Sequence, residues 1–583
     1  MVTIDELAKL DRSKFTKAAD AWSKVSNRAS GAMGRVEGEM LATLDATQKG
    51  DAATAALKNL RQLGKNYRYI HTECGLIRTA LTGLAEELEG PQNKLKQALK
   101  DAEDLKFTVN PDGSVKYPTT EATKVPFLQQ PARAGNVPLI GKLDPNQAKA
   151  QEIADRVAAA VQDATEIDGR YAKALSKLNT NGKLDETDWA DMARDMKDVR
   201  TAAGKHFSED KIPKGKSPKE NAEWWSRLSQ AEKDENVALH PDSIGALDGL
   251  PAAVRDQANR VVLATQASTE IEQRLHDIEA REPKKFERRV RGEWRVSYEW
   301  KRWKEEKDTA EGVKKGMKAL QERLDNTTLK GLPEPYLLSF DTKGHGHAVV
   351  ANGNPDHAQH TAVYVPGTGS RLEKIGDGLG RSDKLWRTSA ALAPDQKIST
   401  ISWYGYEAPQ SLGDDAPRSS YANNAAGTVN QFFSGLRASH ASDVHQHVTA
   451  VAHSYGTTVV GSAARQGDLS ADDVVFAGSP GVQVGRASEM DVPKGHVWNE
   501  HAHKDDDNVG DWGKYAHGHR EGLDFIIPDD AKFGAQQMET DTEGHGGYWD
   551  YSEGKDGQPD KPSLSIKNQG RVIVGQYDEV KLK

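Results

Sequence analysis

The sequence predicts a C-terminal domain of alternating strands and helices, a mostly parallel sheet covered by helices, preceded by a mainly α-helical region. Three observations lead there. A chain of 583 residues exceeds what one hydrophobic core can organise and should divide into several units. Through the first 325 or so residues, apolar side chains recur every three or four positions, as on one face of a helix. After Gly331-Leu332-Pro333-Glu334-Pro335 the pattern changes to short β-branched runs separated by glycine, proline and helical stretches. The expected organisation is a helical hairpin or bundle with a small β-hairpin over 1–140, a helical region over 141–330, and the α/β domain over 331–583.

In the first region Phe15, Ala18, Trp22, Val25, Ala29, Met33, Val36 and Met40 form one stripe. Gly50 and Asp51 interrupt it, and a second stripe runs through Leu57, Leu60, Tyr67, Ile70, Cys74, Ile77, Leu81, Leu84 and Leu88. Two apolar stripes separated by a break cover each other most simply as an antiparallel helical hairpin. Residues 107–117 alternate around Asn110-Pro111-Asp112-Gly113, which predicts a β-hairpin. Helical periodicity resumes from Ala148, with loops near 211–218 and 241–251. Basic and aromatic residues interleave from Lys284 to Lys304, a pattern that suits anionic surfaces. Glu287, Glu293, Glu299, Glu305 and Glu306 interrupt the charge, so the stretch reads as a solvated helix that packs one aromatic edge. An EF-hand-like look at Asn179-Thr180-Asn181-Gly182 fails, because Lys177 would occupy the first ligand position.

Composition narrows the function classes. Lys and Arg total 78 against 87 Asp and Glu, a net charge of -9, which gives no electrostatic reason to expect a nucleic-acid partner. The single cysteine, Cys74, excludes an intramolecular disulfide and any cysteine-rich metal site, and its apolar helical position predicts a buried thiol. Mean hydropathy is -0.73. No apolar run is long enough to span a bilayer, and the first residues lack a basic segment followed by an apolar one. The expected location is the cytoplasm, or outside the cell by a route without a cleaved signal peptide.

Strands are expected at 348–351, 361–365, 398–403, 448–451, 473–476, 496–498 and 572–574. The fourth carries the chemistry. Residues 447–461 read as a strand, an abrupt turn, and a helix starting near Gly456. Within them Ala452-His453-Ser454-Tyr455-Gly456 fits the small-x-Ser-x-Gly elbow, with alanine at the first small position. Such a turn strains the serine backbone and brings strand, helix and sheet so close that the residues two before and two after must be small. The following helix N-terminus favours developing negative charge, and the Tyr455 amide is placed to donate to an oxyanion. The second donor should come from the loop after an earlier strand. Residues 361–370 supply one, with the amide of Gly367 or Thr368 suitably placed and Thr368 preferred. The same turn lacks the Gly-Lys-Ser/Thr ending of a phosphate loop. A purely structural turn serine is the competing reading of Ser454.

A serine needs an imidazole to take its proton, and that imidazole needs a carboxylate to fix its tautomer. Downstream of Ser454, Asp505, Asp506 and Asp507 follow the strand at 496–498 and compete for the acid role. Asp507 is preferred because Val509, two residues on, can pack back into the domain; Asp505 is second. His545, between Gly544 and Gly546, is the expected base, against the reading of a surface-loop histidine. The pairs His501/His503 and His517/His519 match no zinc spacing, so no metal or organic cofactor is called for.

These residues resemble the actinobacterial α/β-hydrolase family of the DUF1023 type. The likeness runs in order through Asn221-Ala222-Glu223-Trp224-Trp225, residues 244–251, Val365-Pro366-Gly367-Thr368-Gly369, Trp403-Tyr404-Gly405-Tyr406, the Ser454 elbow, Gly478-Ser479-Pro480-Gly481 and Gly544-His545, covering about 221–580. It implies Ser454 as nucleophile, His545 as base and an acid within 505–507, where the family tends to read Asp-Pro-Ile/Val and this chain reads Asp507-Asn508-Val509. The family name carries no substrate. The N-terminal hairpin resembles the WXG100/LXG-type modules of type VII secretion, although no Trp-x-Gly turn separates its helices. Tyr69-Ile70-His71-Thr72-Glu73 matches the loose export pattern of that pathway but sits inside a helix.

The expected function is therefore a serine hydrolase, carboxylesterase- or lipase-like, that cleaves a small-molecule or lipid ester through an acyl-enzyme, amides being less favoured. Two rivals stand beside it. One is a secretion-linked effector or interaction protein that binds a helical partner through the N-terminal region; the other is a phospholipase working at a membrane surface through the Lys284–Lys304 stretch.

Overall fold

The computed structural model describes residues 2–118, 145–178, 188–204, 207–288, 293–326, 331–441, 443, 445–502, 509–552 and 561–583. The stretch 179–182 lies outside them, as do Asp505, Asp506 and Asp507. The chain divides into two compact units. One comprises Met1–Gly31, Tyr67–Glu186 and Asp191–Ser208; the other comprises Ala32–Asn66, Thr187–Ala190 and Glu209–Lys583.

The first unit is helical. Thr3 and Glu6 form a reciprocal cap at the helix Ile4–Lys9, the Glu6 amide donating to the Thr3 hydroxyl at 3.2 Å and the Thr3 amide to the Glu6 carboxylate at 2.9 Å. Carbonyls at the other end of that helix find a partner in Gln92, whose amide donates to Leu7 and Leu10 at 3.1 and 2.7 Å. Across the expected hairpin, Ser26 in the helix Ser13–Arg35 donates to the His71 carbonyl in the helix Asp51–Glu87 at 2.9 Å. Cys74 is buried, as its stripe requires. The small β-hairpin is present, Thr108–Val109 pairing with Val115–Lys116 around Gly113 at φ +88°.

The second unit carries the sheet, whose strands in chain order are β1 (Pro335–Asp341), β2 (His347–Asn352), β3 (His360–Val365), β4 (Ile398–Tyr404), β5 (His447–His453), β6 (Asp473–Ala477), β7 (Val497–Glu500) and β8 (Gln536–Gln537). Their spatial order is β8-β7-β6-β5-β3-β4-β2-β1. From β8 to β4 every pairing is parallel; β2 pairs antiparallel with both β4 and β1. The mostly parallel α/β sheet expected from the sequence is thus present. Buried on both faces, β4, β5 and β6 consist wholly of buried residues, which is why they appear in the sequence as unbroken apolar or small runs.

The helices of this unit that matter here are α1 (Ala252–Ser268), α2 (Tyr298–Asp325), α3 (Ile375–Leu392), α4 (Ser420–Ser439), α5 (Tyr455–Gln466), α6 (Val509–His517) and α7 (Leu564–Ile573). Alternation along the strands decides the faces. Val363, Val365, Ala450, Ala452 and Phe476 pack with Phe432 and Phe433 of α4 and Val459 and Val460 of α5. Ala362, Tyr364, Val451 and Val475 point the other way, to Leu385 of α3 and Ile566 and Val572 of α7. Edge strand β1 is covered by α1. The Leu337 amide donates to Asp256 at 2.7 Å, while Asn259 and Arg260 donate to the carbonyls of Leu337 and Pro335 at 3.1 and 2.7 Å.

Two expectations need correction. Val572-Ile573-Val574, expected as a strand, is the end of α7: Ser563 caps that helix and its apolar residues face the sheet. The Lys284–Lys304 stretch is not one helix. Phe286–Arg288 and Trp294–Val296 form an antiparallel pair, with Glu287 and Arg295 ion-paired across it, and α2 starts only after Ser297, whose hydroxyl accepts from the Trp300 amide at 3.1 Å. The period there is two, and the interrupting Glu287 is one half of a cross-strand pair.

At the strand ends opposite Ser454, Asp473 is fully buried and gathers donors from three elements. His447 Nε2 lies 2.7 Å from its Oδ2, the Tyr577 hydroxyl donates to the same oxygen at 2.7 Å, and Trp498 Nε1 donates to Oδ1 at 2.8 Å. Removing the acceptor would leave the buried Trp498 donor unmatched and leave His447 Nε2 and the Tyr577 hydroxyl with only each other, 3.2 Å apart. Asp473→Ala should therefore destabilise the sheet unit by about 3–5 kcal/mol, measurable by urea unfolding; a loss below about 1 kcal/mol would contradict this role.

Candidate active site

The sheet changes winding direction between its neighbours β3 and β5. The chain leaves β3 through α3 towards β4 on one side, and leaves β5 through α5 towards β6 on the other. Loops at the carboxyl ends of such a pair diverge and leave a crevice. Ser454 sits there, between the last residue of β5 and the first of α5, at φ +54° and ψ -130°. Its amide donates to the Ala477 carbonyl at 3.0 Å and its carbonyl accepts from the Thr457 amide at 2.9 Å, so β6 and the first turn of α5 hold the strained backbone from both sides.

Two glycines make the turn sterically feasible. A Cβ at Gly456 would stand 2.3 Å from the Val365 carbonyl oxygen and 2.8 Å from that of Pro366. A Cβ at Gly367 would stand 2.6 Å from Ser454 Cβ and 2.9 Å from the Tyr455 amide nitrogen. The loop after β3 therefore lies directly against the serine and the amide that follows it. That loop is itself fixed: the Tyr406 hydroxyl donates to the Pro366 carbonyl at 2.8 Å, the Gly369 amide to Pro409 at 2.7 Å, and Gln410 to the Ser370 carbonyl at 3.1 Å. Thr368, Ser454, Tyr455 and His545 line one cavity of about 960 Å³.

His545 comes from the loop after β8, beside Gly544 at φ +73°. Gly478, just past β6 at φ +60°, leaves room for its imidazole, since a Cβ there would lie 2.9 Å from ring atoms Cε1 and Nδ1. His453 Nε2 lies 2.8 Å from the His545 carbonyl oxygen, and the two imidazoles lie with centroids 4.8 Å apart, tilted by 33°. Complete burial pushes the His453 pKa well below the ordinary range, with Arg381 and His545 adding to it. A neutral His453 thus carries its proton on Nε2, donates it to the His545 backbone, and turns Nδ1 towards Arg381 at 3.3 Å.

Sequence reasoning brought Ser454, Tyr455, Thr368 and His545 to one region, and the cavity holds all four. It did not find His453, Arg381 or Glu500. His453 stood at a free position of the elbow and Arg381 inside an ordinary amphipathic helix, so neither gave a signal. Glu500 ends β7, three residues before the undescribed stretch that holds Asp505, Asp506 and Asp507. Its Oε2 accepts from Ser565 at 2.6 Å and Gln569 at 3.0 Å, and Gln569 also donates to the Tyr548 carbonyl at 3.3 Å. The Tyr548 hydroxyl in turn accepts from the Ala502 amide at 3.0 Å, so one polar chain ties β7, α7 and the His545 loop together. Among the described residues no cluster of His, Cys, Asp and Glu could hold a metal, and no helix is long and apolar enough to cross a membrane.

Comparison with known proteins bears on the fold that carries this site. A family model described as alpha/beta hydrolase matches residues 341–514. The uncharacterized protein Rv2079 of Mycobacterium tuberculosis is 30% identical over 309 residues, covering 49% of this chain and 43% of that protein. The chain therefore spans less than half the length of that relative. The uncharacterized protein Mb0988c of Mycobacterium bovis is 33% identical over 182 residues, 29% of this chain and 67% of its own length.

Burial pushes the Glu500 carboxyl from 4.5 up to about 8, so the folded state keeps a proton that the unfolded chain releases. Its contribution to stability is complete below about pH 4.5 and is lost as pH rises through about 8. Glu500→Gln keeps the shape without the titration. Melting temperatures of the wild type should fall between pH 5 and 8 relative to those of the variant; parallel curves would refute the buried proton.

Proposed function

This chain belongs to the alpha/beta hydrolase family, and from that premise we propose that it is a serine hydrolase cleaving an ester through an acyl-enzyme on Ser454. The observation that carries the reading is the turn at Ser454: a positive-φ serine at a helix N-terminus, against a glycine loop that touches the next amide, in a cavity shared with His545.

In this reading His545 takes the proton of Ser454 Oγ as the oxygen attacks the ester carbonyl. The tetrahedral oxyanion forms beside the amides of Tyr455 and Thr368, and the positive end of α5 stabilises the charge as it develops. His545 then delivers its proton to the departing alcohol. Water then attacks the acyl carbon as it gives a proton to the same imidazole, and His545 returns that proton to Ser454 Oγ as the bond to the acyl group breaks and the acid leaves. Asp507 orients His545 and balances the imidazolium; Asp505 is the second choice for that role. The donors at the oxyanion position are backbone amides, so their placement depends on the fixed loop after β3 and not on side-chain rotamers. Esters are favoured over amides because the alkoxide leaving group needs less assistance than an amine.

Fluorophosphonate labelling of the purified protein, with 4-nitrophenyl esters of graded chain length in parallel, tests the proposal. Labelling should vanish in Ser454→Ala. His545→Ala should lower kcat/KM by on the order of 10⁴-fold or more, and Asp507→Asn should cost far more than Asp505→Asn. Folded wild type that neither labels nor turns over an ester would overturn the assignment, and equal effects of the two aspartate changes would remove Asp507 from it.

A further inference from the structure

One wall of the Ser454 cavity contains a cation that makes no ion pair with any described residue, Asp377 on the same helix acting on it only at longer range. Arg381 lies on α3, half-buried, facing the cavity. Its Nη1 donates to the Tyr364 hydroxyl and lies 3.3 Å from His453 Nδ1. The guanidinium carbon stands 4.8 Å from the centroid of Trp549 and 5.6 Å from that of Tyr364. Every one of these neighbours is neutral. Aromatic faces soften the loss of hydration for a guanidinium, but they do not neutralise it. Among the described residues its other nitrogens find no hydrogen-bond partner and no carboxylate comes within 4.0 Å of them.

A second cation lines the same cavity. Lys374 places Nζ 3.7 Å from the Cβ position of Gly369, in the loop next to the serine, and among the described residues it too has no ion-pair partner. Against these two cations the described cavity wall offers one carboxylate, Asp377, together with the imidazoles of His453, His517 and His545. The same lining has an apolar part: Leu412, Trp512 and Tyr515 belong to it and are themselves largely exposed. Cations without internal partners, in a cavity holding a nucleophile, mark the place where an incoming group brings the negative charge. The oxyanion does not account for them, because its donors are backbone amides and its charge exists only in the transition state.

We infer that the Ser454 cavity takes an ester carrying an anionic group, a carboxylate or phosphate, which pairs with Arg381 and Lys374 while an apolar part lies against Leu412, Trp512 and Tyr515. This rests on Ser454 being the nucleophile. Arg381 and Lys374 are then specificity-determining residues: they select the substrate by a charge it bears throughout the reaction, and a bidentate contact from the open side of the guanidinium also orients the ester carbonyl towards Ser454.

The test compares 4-nitrophenyl butyrate with three anionic esters of similar size: one with a carboxylate on the phenol, one with a carboxylate ending the acyl chain, and one with a phosphate on the phenol. Wild type should prefer at least one of them by about tenfold or more in kcat/KM. Lys374→Gln should cut that ratio severalfold, Arg381→Gln should bring it near one, and Arg381→Lys should keep part of it. Inorganic phosphate should inhibit wild type competitively and Lys374→Gln more weakly. If Arg381→Gln does not fold, the Lys374→Gln ratio and the phosphate inhibition decide. A wild type that hydrolyses the neutral ester as well as all three anionic ones, or a ratio unchanged in Lys374→Gln and in folded Arg381→Gln, overturns the inference while leaving the hydrolase in place. Folded wild type that neither labels with fluorophosphonate nor hydrolyses any of the esters overturns the nucleophile itself.

Discussion

The backbone of Ser454 is the constraint on which the rest of the site depends. A non-glycine residue held at φ +54° costs about 1–3 kcal/mol, so it persists only where the surroundings leave no alternative. Here β5 supplies that rigidity, because it is paired along its length by β3 on one side and β6 on the other. With the strand fixed, the turn is forced by contacts at Gly456 and Gly367, where the chains approach more closely than any Cβ would allow. The amide of Tyr455, the loop after β3 and the start of α5 take their positions from this one packing solution.

Much of this was legible in the sequence for a physical reason. A strand buried on both faces must be apolar or small throughout, so β3 to β6 stood out as unbroken runs, and the elbow was visible because its small residues answer a steric demand that no larger side chain meets. Elements at the margins were less legible. Edge strand β1, which begins at Pro335 just after the expected start of the α/β domain at residue 331, was not foreseen, because its polar partners come from α1 and leave no trace in its own sequence. Strand β8 is two residues long, too short to show a period. Val572-Ile573-Val574 carries β-branched residues on the sheet-facing side of α7, where burial outweighs their weaker helix propensity.

Side chains that act through tertiary partners were invisible for the same reason. His453 occupies a position that the elbow leaves unrestricted, yet its tautomer is set by a carbonyl 92 residues away in sequence. Arg381 looks like any solvent-facing arginine of an amphipathic helix until Tyr364, Trp549 and His453 close around it. In both cases the informative quantity is which group faces the other side of the ring, and sequence spacing does not encode it.

The two ends of the sheet bear on how copies of this unit can associate. Backbone groups of β1 at Leu337 and Pro335 are engaged by Asp256, Asn259 and Arg260 of α1. At the other end the Lys583 amide donates to the Gln537 carbonyl at 2.9 Å, and Met538 bridges Leu582. Among the described residues these particular backbone groups are therefore already taken, and are not free to continue a ladder with another chain. Strand addition at Pro335 and Leu337, or at Gln537, first requires α1 or the segment around Leu582 to peel away.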